Sequence, residues 1–169
     1  MRTRPPLIRP PDDIVREFPE EIYSLIGKIA SAWSRLDMAL LLLLMDASGT
    51  DAGIVGLFVG RLDSRGKLDR LMSILQYRKL NSQLAALKRL RPDLAKMQLQ
   101  RNHVVHGDLL GIHKTSGEFI FVVADYWADE ETQVPIMSAL GYSKKKLEWN
   151  KNEITRLTDE IQKIEIPKP

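Results

Sequence analysis

The sequence predicts a mainly α protein: a helical bundle of four to five helices with a β-hairpin inserted before the C-terminal helix. Three observations carry that expectation. Apolar residues recur every three or four positions through most of residues 19–106 and again through 143–165, the period of helices with one buried face. Between these stretches two short apolar runs flank a polar segment containing glycine, which marks a hairpin. At 169 residues, 44% hydrophobic and 28% charged, the chain fits one domain large enough to bury its own core.

The chain begins with residues 1–18 as an expected extended arm, followed by a single domain over 19–166. Four of the nine prolines fall within 1–11, where no apolar period is present. Pro19 suits the first turn of a helix because its missing N–H costs nothing there, and Glu20 and Glu21 favour the positive dipole end. The first helix is expected from Pro19 to Asp46 with Ile22, Ile26, Ile29, Trp33, Leu36, Leu40 and Leu44 on its buried stripe, stopping at Ser48 and Gly49. Asp37 disturbs that stripe. A carboxylate there either reaches water at the stripe's edge or takes a cation from another helix, with Arg101 as candidate.

Residues 50–62 space Gly53, Gly56 and Gly60 among large apolar residues, predicting a short helix packed tightly on the first. Ser64 is the expected cap of the next helix, which turns Leu68, Leu71, Met72 and Leu75 inward and ends near Lys79. Leu84, Leu87, Leu90, Leu94 and Met97 then repeat the helical period. Pro92 in their midst predicts a kink or a brief break, and Gly107 a left-handed stop. The hairpin insertion covers about 108–138, with strands at 109–113 and 119–123. A third strand near Thr132–Ser138 would lie at an edge because of Pro135. The last helix begins at Ser143 and carries Leu147, Ile154, Leu157, Ile161 and Ile164, to pack on the bundle or on a second subunit.

Several function classes are excluded by residue content. With no cysteine there is no disulfide framework and no thiolate nucleophile, and the cytoplasm is the expected compartment. The N-terminus lacks the apolar segment of a secretory signal. The run Met38–Met45 is far shorter than the roughly 20 residues of a membrane span, so no membrane partner is expected. Gly66-Lys67 lacks the upstream glycine and the following Ser or Thr of a phosphate loop. No HExxH pattern or nucleophile-elbow serine is present. The net charge is only +3, but cations crowd the segment from Arg61 to Arg101, where Asp63, Asp69 and Asp93 are the only acids. Such density suits a polyanion such as RNA or, equally on charge alone, a solvated helix face.

That basic segment runs into Arg101-Asn102-His103-Val104-Val105-His106-Gly107, which holds two of the three histidines. On a helical wheel Arg101 shares the side of Leu94 and Met97, so its guanidinium is expected to root toward the core. Asn102 and His106, four apart, can share a face, letting the amide orient the imidazole. His103 lies farthest from the core and is read as a surface residue that could assist. A neutral-pH acid/base beside a permanent cation suits phosphodiester chemistry: histidine moves a proton while arginine stabilises charge on phosphorus. From spacing alone, the favoured reading is a polar helix end in which Asn102 and His106 satisfy the last carbonyls.

The pattern Arg101-Asn102-x-x-x-His106 resembles the R-x4-H signature of the HEPN superfamily, and the order of elements over 19–165 is similar to that family's helical bundle. The resemblance implies a metal-independent endoribonuclease without cofactor, often a homodimer whose two motifs face each other across a cleft. It makes His106 the general acid/base, Arg101 the phosphate-stabilising cation and Asn102 the orienting group; the reading of the residues themselves adds Asp37 and His103 in support. Members include toxins, antiphage and RNA-processing factors, and others that have lost catalysis and serve as RNA- or protein-interaction modules. No antitoxin-like segment is fused here, so an antitoxin or other regulatory partner is expected to be a separate protein. Aromatic residues are 7% of the chain and form no obvious stacking platform, so tight sequence-specific reading of RNA is not expected.

Overall fold

The computed structural model describes residues 13–125 and 136–167. Five helices and a four-stranded antiparallel sheet are found among them, in the order β1 (Ile14–Val15), α1 (Glu20–Ser48), α2 (Ala52–Val59), α3 (Ser64–Tyr77), α4 (Asn81–His106), β2 (Asp108–His113), β3 (Phe119–Asp125), β4 (Ile136–Tyr142) and α5 (Lys144–Gln162). The mainly α class with a hairpin before the last helix is therefore the architecture observed. No single helix among the described residues is long and apolar enough to cross a membrane.

Helix α1 is the axis of the bundle. Its predicted stripe is buried, apart from the half-buried Ile26, and Ala32, Ala39 and Ala47 bring neighbouring helices close. Gly49 ends it in the left-handed conformation at φ 65°, its N–H donating to the Met45 carbonyl. Helix α5 runs in the same direction as α1: Lys144 at its start bonds Glu21 at 2.7 Å, while beyond its end the Pro167 carbonyl and that of Ala47 both accept from Arg78. Leu147, Ile154, Leu157 and Ile161 are buried in this intramolecular packing. Burying each such side chain stabilises the fold by roughly 1.5–3 kcal/mol before entropy is subtracted.

Helix α4 runs antiparallel to α5, with Asp93 bonded to Arg156 and Lys96 over the ring of Trp149. It continues through Pro92 as one helix, so the expected break does not occur. The apolar contacts of Leu87, Leu90, Leu94 and Met97 on either side hold the helix together through the missing hydrogen bond.

Other local expectations change. The cap of α3 is Asp63, whose carboxylate accepts from Gly66 N at 2.8 Å, and Ser64 is the first helical residue. Helix α2 buries Val55 and Val59, but Gly56 does not serve close packing, since a Cβ on it would meet open space, and a Cβ on Gly53 would meet only the capping Asp51, at 3.2 Å. Gly107 is not a left-handed stop, since its φ of −74° and ψ of 153° are extended. It is needed for room. A Cβ there would lie 2.2 Å from the His103 carbonyl oxygen and 3.0 Å from Val123 Cγ1.

The sheet order is β1-β2-β3-β4, so two outer strands join the predicted hairpin. Ile14 pairs with His113 in the segment expected to be an arm, whose residues 1–12 lie outside the described residues. The third expected strand is an edge strand of the described sheet and is described over Ile136–Tyr142; residues 132–135 of the expected strand lie outside the described residues. Gly111, at φ 148°, carries the irregularity between β2 and β3, and a Cβ on it would strike the Val15 carbonyl oxygen at 2.2 Å. Phe119, Phe121 and Tyr142 seat the sheet on the bundle beside the last turn of α4.

Candidate functional site

The site forms where α4 ends against the sheet. Arg101 is half-buried, as its core-side position on the wheel demanded. Its Nη1 donates to Asn102 Oδ1 at 3.0 Å and to His106 Nε2 at 2.6 Å. The Asn102 amide and the His106 ring therefore meet the guanidinium, which replaces the expected direct pairing of the two. The five-residue step from Arg101 to His106 makes this contact possible, because about 1.4 helical turns place the two roots about 140° apart and two long side chains close the gap.

As a hydrogen bond, the contact calls for one tautomer of the imidazole. Arginine has donors only, so Nε2 must present its lone pair, and the proton of the neutral ring sits on Nδ1. Arg101 Nε is buried without a hydrogen-bond partner among the described residues. Burial lowers the Arg101 pKa, and the charge of Asp37 partly restores it. Only part of the guanidinium's donor capacity is thus used.

Asp37 takes its cation from another helix, but from α3 and not from Arg101. Its carboxylate forms an ion pair with Lys67 Nζ and accepts from Ser64 Oγ at 2.7 Å. Arg101 is not its bonded partner. Lys67 is buried, only 6% of its side chain being exposed, and a buried ammonium requires a carboxylate within reach. Asp37 thus neutralises α3 directly and supports Arg101 through space.

His103 also departs from its expected place. It is half-buried, and its Nδ1 shares a hydrogen bond of 2.8 Å with the Tyr142 hydroxyl, the rings meeting edge to face. Burial raises the Tyr142 pKa, keeping the phenol neutral. This pair joins β4 to α4 directly behind the motif. His106, by contrast, is exposed.

Lys67, Ser64 and Tyr142 were not legible as site residues from the sequence. A signal for Lys67 existed: it stands four before Leu71 and eight before Leu75, on the stripe that α3 buries. A lysine there and an aspartate on the facing stripe of α1 announce each other. Tyr142 carried no such signal, because only the pairing of β4 with β3 brings it to His103.

Among the described residues no group of three His, Asp or Glu side chains converges to hold a metal ion. No family model matches the chain, and neither does any curated protein or solved structure searched.

Proposed function

We propose that the chain is a HEPN-type, metal-independent endoribonuclease with Arg101, Asn102 and His106 as its working residues. The observation that carries this reading is the 2.6 Å contact from Arg101 Nη1 to an exposed His106 Nε2, a cation and a neutral base held on one helix end. An incoming phosphodiester competes for the guanidinium and draws it from the ring, which frees the Nε2 lone pair. His106 then takes the proton of the ribose 2′-hydroxyl, and the 2′-oxygen attacks phosphorus. The bond to the 5′-oxygen breaks and that oxygen gains a proton, leaving a 2′,3′-cyclic phosphate and a 5′-hydroxyl. Arg101 stabilises the negative charge on phosphorus, and Asn102 holds the guanidinium in place. In a homodimer two such motifs face one cleft, and the imidazolium formed when His106 takes the 2′-hydroxyl proton is the source of the proton for the leaving oxygen. RNA is the substrate, and a separate antitoxin or regulatory protein is the partner where activity is restrained.

The test is RNA cleavage by purified protein with and without EDTA. Cleavage that survives the chelator, yields cyclic phosphate ends and disappears in His106→Ala at unchanged melting temperature supports the mechanism. Chelator-sensitive cleavage, or wild-type cleavage by His106→Ala, overturns it.

A second reading, a catalytically inactive helical interaction module, is favoured by one feature. Leu57, Phe58 and Tyr77 are 85%, 80% and 88% exposed, and Phe58 and Tyr77 line an apolar groove between α1, α2 and α3. Exposed apolar area of this extent marks a protein contact surface. This reading gains if the pure protein leaves diverse RNAs intact while Arg101→Ala sharply lowers the melting temperature.

A further inference from the structure

Beside the motif, α1, α3 and α4 enclose a pocket of about 360 Å³. Its floor includes Trp33 and Leu94, both buried. Arg65 and Arg91 stand at the pocket as exposed cations, and Ser64 and Gln98 supply polar groups. A mostly apolar wall with a few placed polar groups is the usual make-up of a ligand site, and the volume lies within the common range.

The position of the pocket identifies its occupant. Counting about 100° per residue from Arg91, Ala95 falls near 40° and Gln98 near 340° on α4, so the pocket faces roughly 0°. Arg101 falls near 280° and His106 near 60°, and their contact bridges the direction between them. The pocket and the motif therefore share one stripe of α4. Gln98 and Arg101 are separated by only about 5 Å of axial rise, within the span of a single nucleotide.

We propose that this pocket receives an unpaired base of the RNA, next to the phosphate held by Arg101. The proposal rests on the ribonuclease reading and names the substrate as single-stranded, since only an unstacked base can enter such a slot. The apolar floor covers the base. Gln98 Nε2 is committed to Asp63 at 2.9 Å and Ser64 Oγ donates to Asp37, which leaves acceptor capacity on both for the polar edge of a base. Arg65 makes no ion pair among the described residues and is available to a flanking phosphate, whereas Arg91 is shared with Asp69. A neutral apolar small molecule would make no use of two guanidinium groups on the line leading to the motif.

The test uses fluorescent 2′-O-methyl tetranucleotides, which cannot be cleaved, with an abasic residue placed at each position in turn. Anisotropy binding is measured for the wild type, for Ala95→Phe and for Gln98→Ala, with melting temperatures as a folding control; Ala95 is exposed, so the larger ring is tolerated. One abasic position is expected to weaken wild-type binding tenfold or more. Ala95→Phe should bind the intact oligomer with the same loss and show no further abasic penalty, and Gln98→Ala should reduce that penalty. Absence of a penalty at every position, failure of the oligomers to bind, or a full penalty retained in Ala95→Phe overturns the pocket. Cleavage of ordinary RNA is scored separately. A base-dependent wild type that cleaves nothing keeps the pocket and loses the ribonuclease, and cleavage without base dependence does the reverse.

Discussion

Arg101 donates to His106 Nε2 at 2.6 Å, so the cation and the base that the motif supplies are already in contact without substrate. The same nitrogen cannot hold a proton and accept from arginine, which ties the ready state of His106 to the guanidinium. Replacing Arg101 by lysine keeps the charge but loses the planar fork that bonds Asn102 and His106 together. Arg101→Lys and His106→Ala are each expected to lower kcat/KM on a single-stranded RNA by roughly 100-fold or more. His106→Ala should leave the melting temperature unchanged because the ring is exposed. If Arg101→Lys cleaves at the wild-type rate, the bonded arrangement has no catalytic part.

The Asp37 and Lys67 pair predicts a distinctive stability pattern. Asp37 is 32% exposed and Lys67 only 6%, so removing the carboxylate strands a buried ammonium. Asp37→Ala is expected to cost about 2–3 kcal/mol in urea unfolding, below the full cost of breaking a wholly buried pair because water reaches Asp37. The double change Asp37→Leu with Lys67→Met removes both charges and should recover most of that loss. It should not recover RNA cleavage, since Arg101 still lacks the negative charge that offsets its burial. Recovery of both would assign the pair to folding alone.

Much of this architecture is legible in the amino-acid sequence. The stripes of α1 and α5 follow directly from apolar spacing, and the rooted position of Arg101 follows from Leu94 and Met97 on the same side. What escaped the sequence is what other segments decide. Pro92 reads as a breaker because local propensity counts one lost bond, whereas the buried leucines on both sides outweigh it. Gly107 reads as a left-handed residue because that is glycine's commonest use at a helix end, yet its backbone is extended and the His103 carbonyl oxygen, 2.2 Å from where a Cβ would lie, forbids a side chain there, with β3 close on the other side at Val122 and Val123. The placement of His103 against Tyr142 depends on sheet order, to which helical wheels are blind.

Acid should expose a second electrostatic device, on α5. Arg156 bonds Glu153 and Glu160 on its own helix and Asp93 on α4. The guanidinium holds the Glu153 carboxyl below its ordinary pKa, opposed by burial. A carboxylate depressed in the folded state adds stability above its unfolded pKa and loses it as pH falls through the folded value. Arg156→Ala is therefore expected to melt below the wild type at neutral pH, with the gap closing as pH falls from about 5 to about 2. A gap constant across that window would show that the arginine acts by packing its alkyl stem, not by charge.

Asn150 offers the sharpest contrast between stability and use. It lies on the buried stripe of α5 between Leu147 and Ile154, is 2% exposed, and neither of its amide atoms has a hydrogen-bond partner among the described residues. Gln100 Oε1 and Arg101 Nε on α4 are buried and unpartnered as well. The antiparallel packing that sets Lys96 over Trp149 places these α4 residues toward the same end of the bundle as Asn150. A buried amide without partners costs roughly 1–3 kcal/mol, so Asn150→Leu, similar in volume and free of polar atoms, should raise stability by about 1 kcal/mol or more in urea. Proteins tolerate such a penalty where a polar group serves function. If Asn150 tunes the interior behind Arg101, the stabilised variant cleaves RNA more slowly; if it is merely a packing defect, the variant is more stable and fully active, and a variant that is destabilised would mean that the amide is hydrogen-bonded in solution.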